Sequence, residues 1–415
     1  MARPVVVFED DRIPNLHPLT LTRPAFDLVC GACSLKAKIV RGLGEPSRFR
    51  FHVRDYLKSP EDHSVTSYAR LPGDGMVTLV NARVIWRDDL LETIDLNWAG
   101  KYVAGGEVVL ANLPSQAAAG LDAHLGRPLA AAAFGELPSR MVTADLVNYP
   151  WDLVRHNGEE IARDFRALGG PDVAAEPPPG VHLVRETAIR IAGDVKLSPG
   201  VVVDASDGPV ILDSGAVVLA NASLRGPLHI GAGTLVKAGA AIYGSTSIGP
   251  VCKVGGEIEG TIISGYSNKQ HGGFLGHSYI GEWVNIGAGT NTSDMKNNYS
   301  TIRVPVSGGL VDSGQMFLGL FMGDHSKSGI GTVFNAGTSV GACCNIYGEG
   351  YPPKGLPSFT WGGAAGFVEH GLGEALETAR RVMARRGRVL DDRAGNVLRM
   401  VFEVTAAERA AFLGK

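Results

Sequence analysis

From Leu224 to Val254 an aliphatic side chain stands at every sixth position: Leu224, Ile230, Val236, Ile242, Ile248 and Val254. A helix repeats its apolar face at three and four residues, and a half-buried strand at two. A period of six fits neither. It predicts a parallel β-helix of hexapeptide repeats, in which short strands stack coil upon coil. Val195 and Val201 carry the beat earlier, Ile211 and Val217 in a shifted frame, and Phe274, Ile280, Ile286 and Thr292 resume it. Small residues follow many of these positions, as in Ile286-Gly287-Ala288-Gly289-Thr290. Such steps suit tight corners, whose backbone angles glycine reaches most easily. The competing pattern is a Gly-rich sandwich, which would not keep six aliphatics in one register.

Outside this tract the patterning changes. Val5-Val6-Val7-Phe8, Met76–Asn81 and Glu107–Ala111 read as strands, with an amphipathic stretch at Asp88–Ile94 and a polar helix from Trp151 to about Leu168. Glu176-Pro177-Pro178-Pro179-Gly180 reads as a linker. Residues 294–315 lose the six-residue beat and read as a loop leaving the coil. Leu372, Leu376, Ala379 and Met383 fall at spacings of four, three and four, a helix able to cover the coil's open end. Arg380, Arg381, Arg385 and Arg386 form its solvated face. The expected domains are an α/β domain at 1–175, a β-helix at 181–360 and a helical tail at 361–415.

Composition narrows the class. With 415 residues the chain has room for two or three cores, and its 55 glycines, about twice the usual share, follow no Gly-X-Y period. A formal charge of −3 gives no electrostatic case for nucleic acid. No apolar run reaches the length of a membrane span, and the acid at Glu9 comes too early for a signal peptide. Five cysteines, with Cys343 and Cys344 adjacent, argue against a disulfide framework. No CxxC pair or His-rich cluster points to zinc. A cytoplasmic chain with buried thiols is expected.

Two stretches carry a resemblance. Lys269-Gln270-His271-Gly272-Gly273-Phe274-Leu275-Gly276, followed by Ile280–Thr290, resembles the acetyltransferase domain of the bifunctional N-acetylglucosamine-1-phosphate uridyltransferases. His271 and Asn285 match that family's residue types and their spacing of fourteen. The resemblance implies a left-handed coil, an exception to the right-handed rule for parallel crossovers. It further implies a homotrimer with acetyl-CoA between subunits. Asn15–Leu28, Ser34–Ile39, Gly265–Lys269 and Gly323–Lys327 look like a variant bacterial branch of those enzymes, labelled sugar nucleotidyltransferases. A nucleotidyltransferase-like, Rossmann-like N-terminal domain is therefore expected.

The chain also departs from that family. Glu9-Asp10-Asp11-Arg12 replaces the Gly-rich phosphate loop after the first strand, and Asn81-Ala82-Arg83 stands where a metal-binding Asp is normal. Phe274 replaces a Tyr, Glu259 a substrate-binding Lys, and the expected Asn-Tyr pair is displaced to Asn298-Tyr299.

The implied chemistry assigns roles. N-acetylation needs a base for the acceptor amine and a donor for the oxyanion. His271 is the candidate base, with Asn285 positioning substrate or oxyanion and Ala288 leaving room for the CoA arm. His325, beside Asp324 and Lys327, is the rival base, and Lys327 a phosphate contact. Tyr266, Asn268, Lys269 and Glu257 have the hydrogen-bonding variety a sugar phosphate requires. In the N-terminal half Arg23 and Lys38 are the nucleotide-phosphate candidates, with Lys36 a weaker one. Asp10, Asp27 and Asp152 are the acids open to magnesium, although no spacing fixes a site. Three functions follow: nucleotidyl transfer from a nucleoside triphosphate to a sugar phosphate plus acetyl transfer from acetyl-CoA, in supply of a UDP-N-acetylglucosamine-type sugar nucleotide; nucleotidyl transfer alone on a trimerising scaffold; or sugar-nucleotide binding without turnover.

Overall fold

The computed structural model describes residues 3–59, 63–71, 75–173 and 176–414. Its contacts divide the chain into two compact units. The first comprises Met1–Leu16, Arg23–Leu28 and Cys33–Tyr149, and the second His17–Thr22, Val29–Ala32 and Pro150–Lys415. The helix Pro150–Ala167 thus counts with the coil.

The first unit is built on a six-stranded mixed sheet in the order Phe49–His52, Val5–Phe8, Met76–Asn81, Glu107–Pro114, Gly100–Ala104, Ser139–Met141. Val5–Phe8 runs parallel to both neighbours, and all four of its residues are buried. That is why it reads as an unbroken apolar run rather than an alternation. Leu35–Leu43 forms a helix capped by Ser34, whose hydroxyl accepts the Ala37 N–H at 3.2 Å.

The second unit is a left-handed parallel β-helix with three faces. Leu228 pairs with Val210 below and Thr246 above, a step of eighteen residues, or three hexads. One face carries ten strands, from Asp172–Val173 to Gly355–Leu356. Leu224, Ile230, Val236, Ile242, Ile248 and Val254 are all 0% exposed and fill the interior. The stretch after Thr292 leaves the coil as expected. It carries an antiparallel hairpin, Arg303–Val306 with Gly309–Asp312, and Tyr279 pairs directly with Phe321 across the interruption.

Four expectations are corrected. Ile211 points outward, where Ile161 and Phe165 of the helix Pro150–Ala167 cover it, while Val210 and Leu212 face the core. Val217 pairs on the outer side, and Val218 faces in. Leu275 rather than Phe274 occupies the inner position, because the step from it to the next inner residue, Ile280, is five residues and not six. The Pro-rich stretch is part of the first coil, since Gly180 accepts the Gly200 N–H at 2.7 Å and Asp172–Val173 is already paired into the sheet.

The tail holds three helices, Leu372–Ala384, Asp392–Val404 and Ala406–Phe412. The first buries Ala375, Ala379 and Met383. The coil's last strand pairs with a hairpin partner, Gly366–Glu369, on which Phe412 packs at 5.3 Å from Phe367. Those elements cover the open end.

Candidate functional site

In the first unit a crevice of about 230 Å³ opens beyond the carboxyl ends of Val5–Phe8 and Met76–Asn81. Open α/β sheets gather ligands at such strand ends. Asp10, Asp11, Arg12, Asn81 and Glu107 line it. Beneath lies Arg83, 0% exposed, whose guanidinium forks onto Asp10 at 2.8 and 2.6 Å. It also donates to Glu107, to the Asn148 side chain at 2.6 Å and to the Val147 carbonyl at 3.1 Å. Asn81 donates to the same Asp10 carboxylate at 2.8 Å. Burial alone would lower the Arg83 pKa, but the Asp10 and Glu107 carboxylates outweigh it and hold the guanidinium above its ordinary value. Glu9 is buried and gripped by Arg54 at 3.0 Å through both carboxylate oxygens, so it braces the fold.

On the coil, one face gathers many of the residues singled out from the sequence. Lys253, Asn268, Asn285 and Lys327 occupy successive outward positions of one column. Asn268 donates to Asn285 at 3.3 Å and receives Arg386 from the tail at 2.6 Å. At the adjoining corner Tyr266, Trp283 and His325 share the left-handed backbone region, with φ of 61°, 60° and 60°. Tyr266 stacks on Trp283 at 4.3 Å, Trp283 lies parallel to His325 at 6.2 Å, and Arg388 donates to the Tyr266 hydroxyl at 2.8 Å. Arg386, then desolvation, Arg385 and Lys237 lower the Lys253 pKa, as crowded cations do. Lys327 caps the His325 carbonyl at 2.7 Å, and burial lowers its pKa.

His271 sits on an exposed corner between this face and the next, with no hydrogen-bonding partner for its ring among the described residues. Only its carbonyl is engaged, by Lys269 at 2.9 Å. Lys269 is itself corrected from a surface contact to an interior residue. It is 2% exposed, stacks above Val254 inside the coil, and spends its ammonium on the carbonyls of Gly255 and His271. Glu257 is exposed and accepts the Tyr243 hydroxyl at 2.5 Å. Ala288 is half-buried, its carbonyl accepting the Gly331 N–H at 2.8 Å. His325 is 8% exposed, and its neighbour Asp324 accepts the Thr22 hydroxyl at 2.6 Å and the Glu282 N–H at 2.8 Å.

A second imidazole lies at a different corner. His277, in the left-handed region at φ 44°, holds Asp294 through Nδ1 at 2.8 Å. The fold places them by a simple device. The excursion departs at Asp294 and returns at Gly319, whose N–H bonds to the His277 carbonyl at 2.9 Å, while Leu318 N–H bonds to the Asp294 carbonyl at 2.7 Å. Phe317 packs on the imidazole at 5.5 Å. Gly260 lies under the ring, where a Cβ would come within 2.9 Å of it. The side chains of His277 and Asp294 are 27% and 15% exposed, and Nε2 makes no hydrogen bond among the described residues. His277 lines a cavity of about 250 Å³ with Glu259, Gln315, Phe317 and Arg155.

Residues 5–170 match the sugar nucleotidyl transferase family. They form a nucleotidyltransferase-like domain. Among curated proteins, the chain is 34% identical over 91 residues to a bifunctional sugar-1-phosphate nucleotidylyltransferase/acetyltransferase of Sulfurisphaera tokodaii, 22% of this chain and 23% of that protein. It is 33% identical over 90 residues to the bifunctional protein GlmU of Methanocaldococcus jannaschii, 22% of each. The alignments span less than a quarter of either relative's length. Among solved structures, an Arabidopsis UDP-N-acetylglucosamine acyltransferase aligns over 50% of this chain and 76% of its own, at 14% identity and TM-score 0.23.

The nucleotidyl transferase domain departs from the residue roles expected of it. Lys38 is 1% exposed inside its helix, and Lys36 pairs with Asp27 at 2.6 Å. Neither Arg23 nor Lys38 lines the crevice described above. Nor does the donor set suit magnesium. Asp10 already neutralises Arg83, Asp27 is held by Lys36, Asp152 pairs with Arg155 at 3.2 Å, and no group of three metal-binding side chains occurs among the described residues. No helix among the described residues is long and apolar enough to cross a membrane. The one strong geometry the sequence did not disclose is His277 with Asp294. Its signal was a bulky ring at a corner where the preceding coils place Gly244 and Gly260.

Proposed function

We propose that the chain is a two-site transferase acting on an amino-sugar phosphate. In the nucleotidyl transferase domain, a sugar-phosphate oxygen attacks the α-phosphorus of a nucleoside triphosphate and pyrophosphate leaves. On the coil, the sugar amine attacks the thioester of acetyl-CoA. Carrying the second half is the basic cluster of Lys237, Lys253, Arg385 and Arg386 beside the Asn268–Asn285 pair. Crowded cations on a coil face suit the phosphates of CoA, which a neutral scaffold would have no reason to attract. Asn285 and Asn268 are the neutral donors at hand for sugar hydroxyls, and Lys327 is close enough in the same column to add charge.

Magnesium enters no step of this reading, because a guanidinium holds the carboxylate it would need. Arg12, exposed at the crevice rim, is the cation available to a phosphate there. The same Asp10–Arg83 pair favours a second reading, in which the crevice binds a sugar nucleotide without turning it over. We further propose a homotrimer and a cytoplasmic setting, where acetyl-CoA and nucleoside triphosphates are at hand and the five cysteines stay unpaired.

The test is a pair of release assays on the full chain. Acetyl-CoA with glucosamine 1-phosphate should liberate free thiol, and UTP with N-acetylglucosamine 1-phosphate should liberate pyrophosphate at equal rates with magnesium or EDTA. Light scattering on the same sample should give three chain masses. Thiol release without pyrophosphate, together with calorimetric binding of the sugar nucleotide, selects the second reading for the crevice. Silence in both assays rejects the transferase reading, and a monomeric mass rejects the trimer.

A further inference from the structure

On the ten-strand face of the coil the outward column is covered by large side chains as far as Phe321. Ile161 and Phe165 cover Ile211, and the Trp151 ring lies 6.3 Å from that of Phe321. Their helix begins at Pro150, next to Trp151. In the column Phe321 pairs with Ser339, and Ser339 with Gly355, so the next two outward positions carry almost no side chain. A cavity of about 810 Å³ lies over them, within the range of whole-ligand pockets.

The hairpin stretch Pro305–Leu310, the helix Ala406–Phe412 and the chain around Pro18 and Leu21 wall it, all within the second unit. Gly355 lets the hairpin wall stand close, since a Cβ there would come within 3.2 Å of Pro305. Leu21, Val306, Leu356 and Phe412 make the lining largely apolar, and Leu310, also lining it, is 61% exposed. Lys354 is the one Lys or Arg among the lining residues. It is half-buried, and its ammonium meets the Arg303 carbonyl at 3.3 Å but no carboxylate among the described residues. Burial, then Lys296, lowers its pKa. Glu408, on the helix wall, is the one acid in the lining. Burial alone raises its pKa, with no contribution from Lys354, so the two charges stand apart.

We propose that this cavity binds a small molecule with a single anionic head on an apolar body, in the class of medium-chain carboxylates, its head at Lys354. A half-buried ammonium without an acid partner gains from an incoming anion, and the apolar walls gain from a chain that displaces water. Covering Leu310 adds to that gain. The charge count sets the class. A second anionic group would find no second Lys or Arg in the lining and would meet Glu408, which disfavours dicarboxylates and nucleotides. Lys253 and Asn268 belong to a different sheet of the coil, so this site is separate from the column assigned above to sugar and CoA. The proposal stands whether or not either transfer reaction occurs.

Calorimetry on the full chain, with octanoate as the probe, tests it. Octanoate should bind at one site per chain. 1-Octanol, of equal length without the charge, should bind roughly tenfold more weakly or worse, and the dicarboxylate suberate should give no measurable heat. Lys354→Met should reduce octanoate to the affinity of octanol. Ser339→Leu, which puts a side chain into the floor, should abolish binding of both while its melting curve matches wild type. Saturating acetyl-CoA should leave octanoate binding unchanged. Absence of octanoate binding overturns the proposal, as does full affinity in either variant. Equal affinity for octanol or suberate overturns the single-anion class, and displacement by acetyl-CoA overturns the separate site.

Discussion

Lys269 shows how a single residue can reverse its expected role. In sequence it belongs to a polar run, Tyr266–His271, and reads as a surface contact. The coil between Val254 and Lys269 is shorter than eighteen residues, and that shift turns its side chain inward. Burial there pushes its pKa down from 10.5 to about 8, partly opposed by Glu257. Between those two values the unfolded chain binds more protons than the folded one, so this residue makes stability climb as pH rises from 8 towards 10.5. Lys269→Met should remove that part of the climb and be the more stable chain at neutral pH, by on the order of 1–3 kcal/mol. Urea unfolding of both chains at several pH values checks this, and identical pH slopes would refute it. Arg83 makes the complementary point. Asn81-Ala82-Arg83 shows in sequence that an acid is missing, but only the fold shows a guanidinium seated on Asp10.

Among elements, the six-residue beat was legible because interior positions, Lys269 apart, take apolar or small side chains. The glycine after many of them was legible for a different reason. A Cβ on Gly287 would come within 2.3 Å of the Gly329 carbonyl in the next coil, and one on Gly231 within 2.7 Å of the Gly249 backbone. Neither has the positive φ of a corner, so close approach of backbones, and not turn geometry, requires glycine there. Gly287→Ala should therefore lower stability by about 1–3 kcal/mol in urea titration, since coil backbone cannot move aside cheaply. Gly373→Ala is the contrasting case. It lies in the helix Leu372–Ala384 with nothing within 4 Å of its Cβ, and should stabilise by about 0.5–1 kcal/mol. A neutral Gly287→Ala would contradict the stacking argument.

Across the whole molecule, the two units and the excursion could be read from changes of period, and the coil's chemistry only in part. Asn268, Asn285 and Lys327 could be singled out because they fall within recognisable motifs, and the fold aligns them in one column. His277 and Asp294 stand seventeen residues apart with no motif joining them, and they meet because a coil brings successive turns into register. Lys38 failed for the opposite reason: a helical cation reads as surface, yet its helix face is buried.

The most direct measurement is a crystal structure of the chain soaked with acetyl-CoA, which locates the acyl group without assuming an acceptor. The account predicts CoA on the coil with its phosphates against the cluster of Lys237, Lys253, Arg385 and Arg386 and its thioester within reach of the Asn268–Asn285 pair. CoA density on another face of the coil, or no CoA on the coil at all, would contradict it.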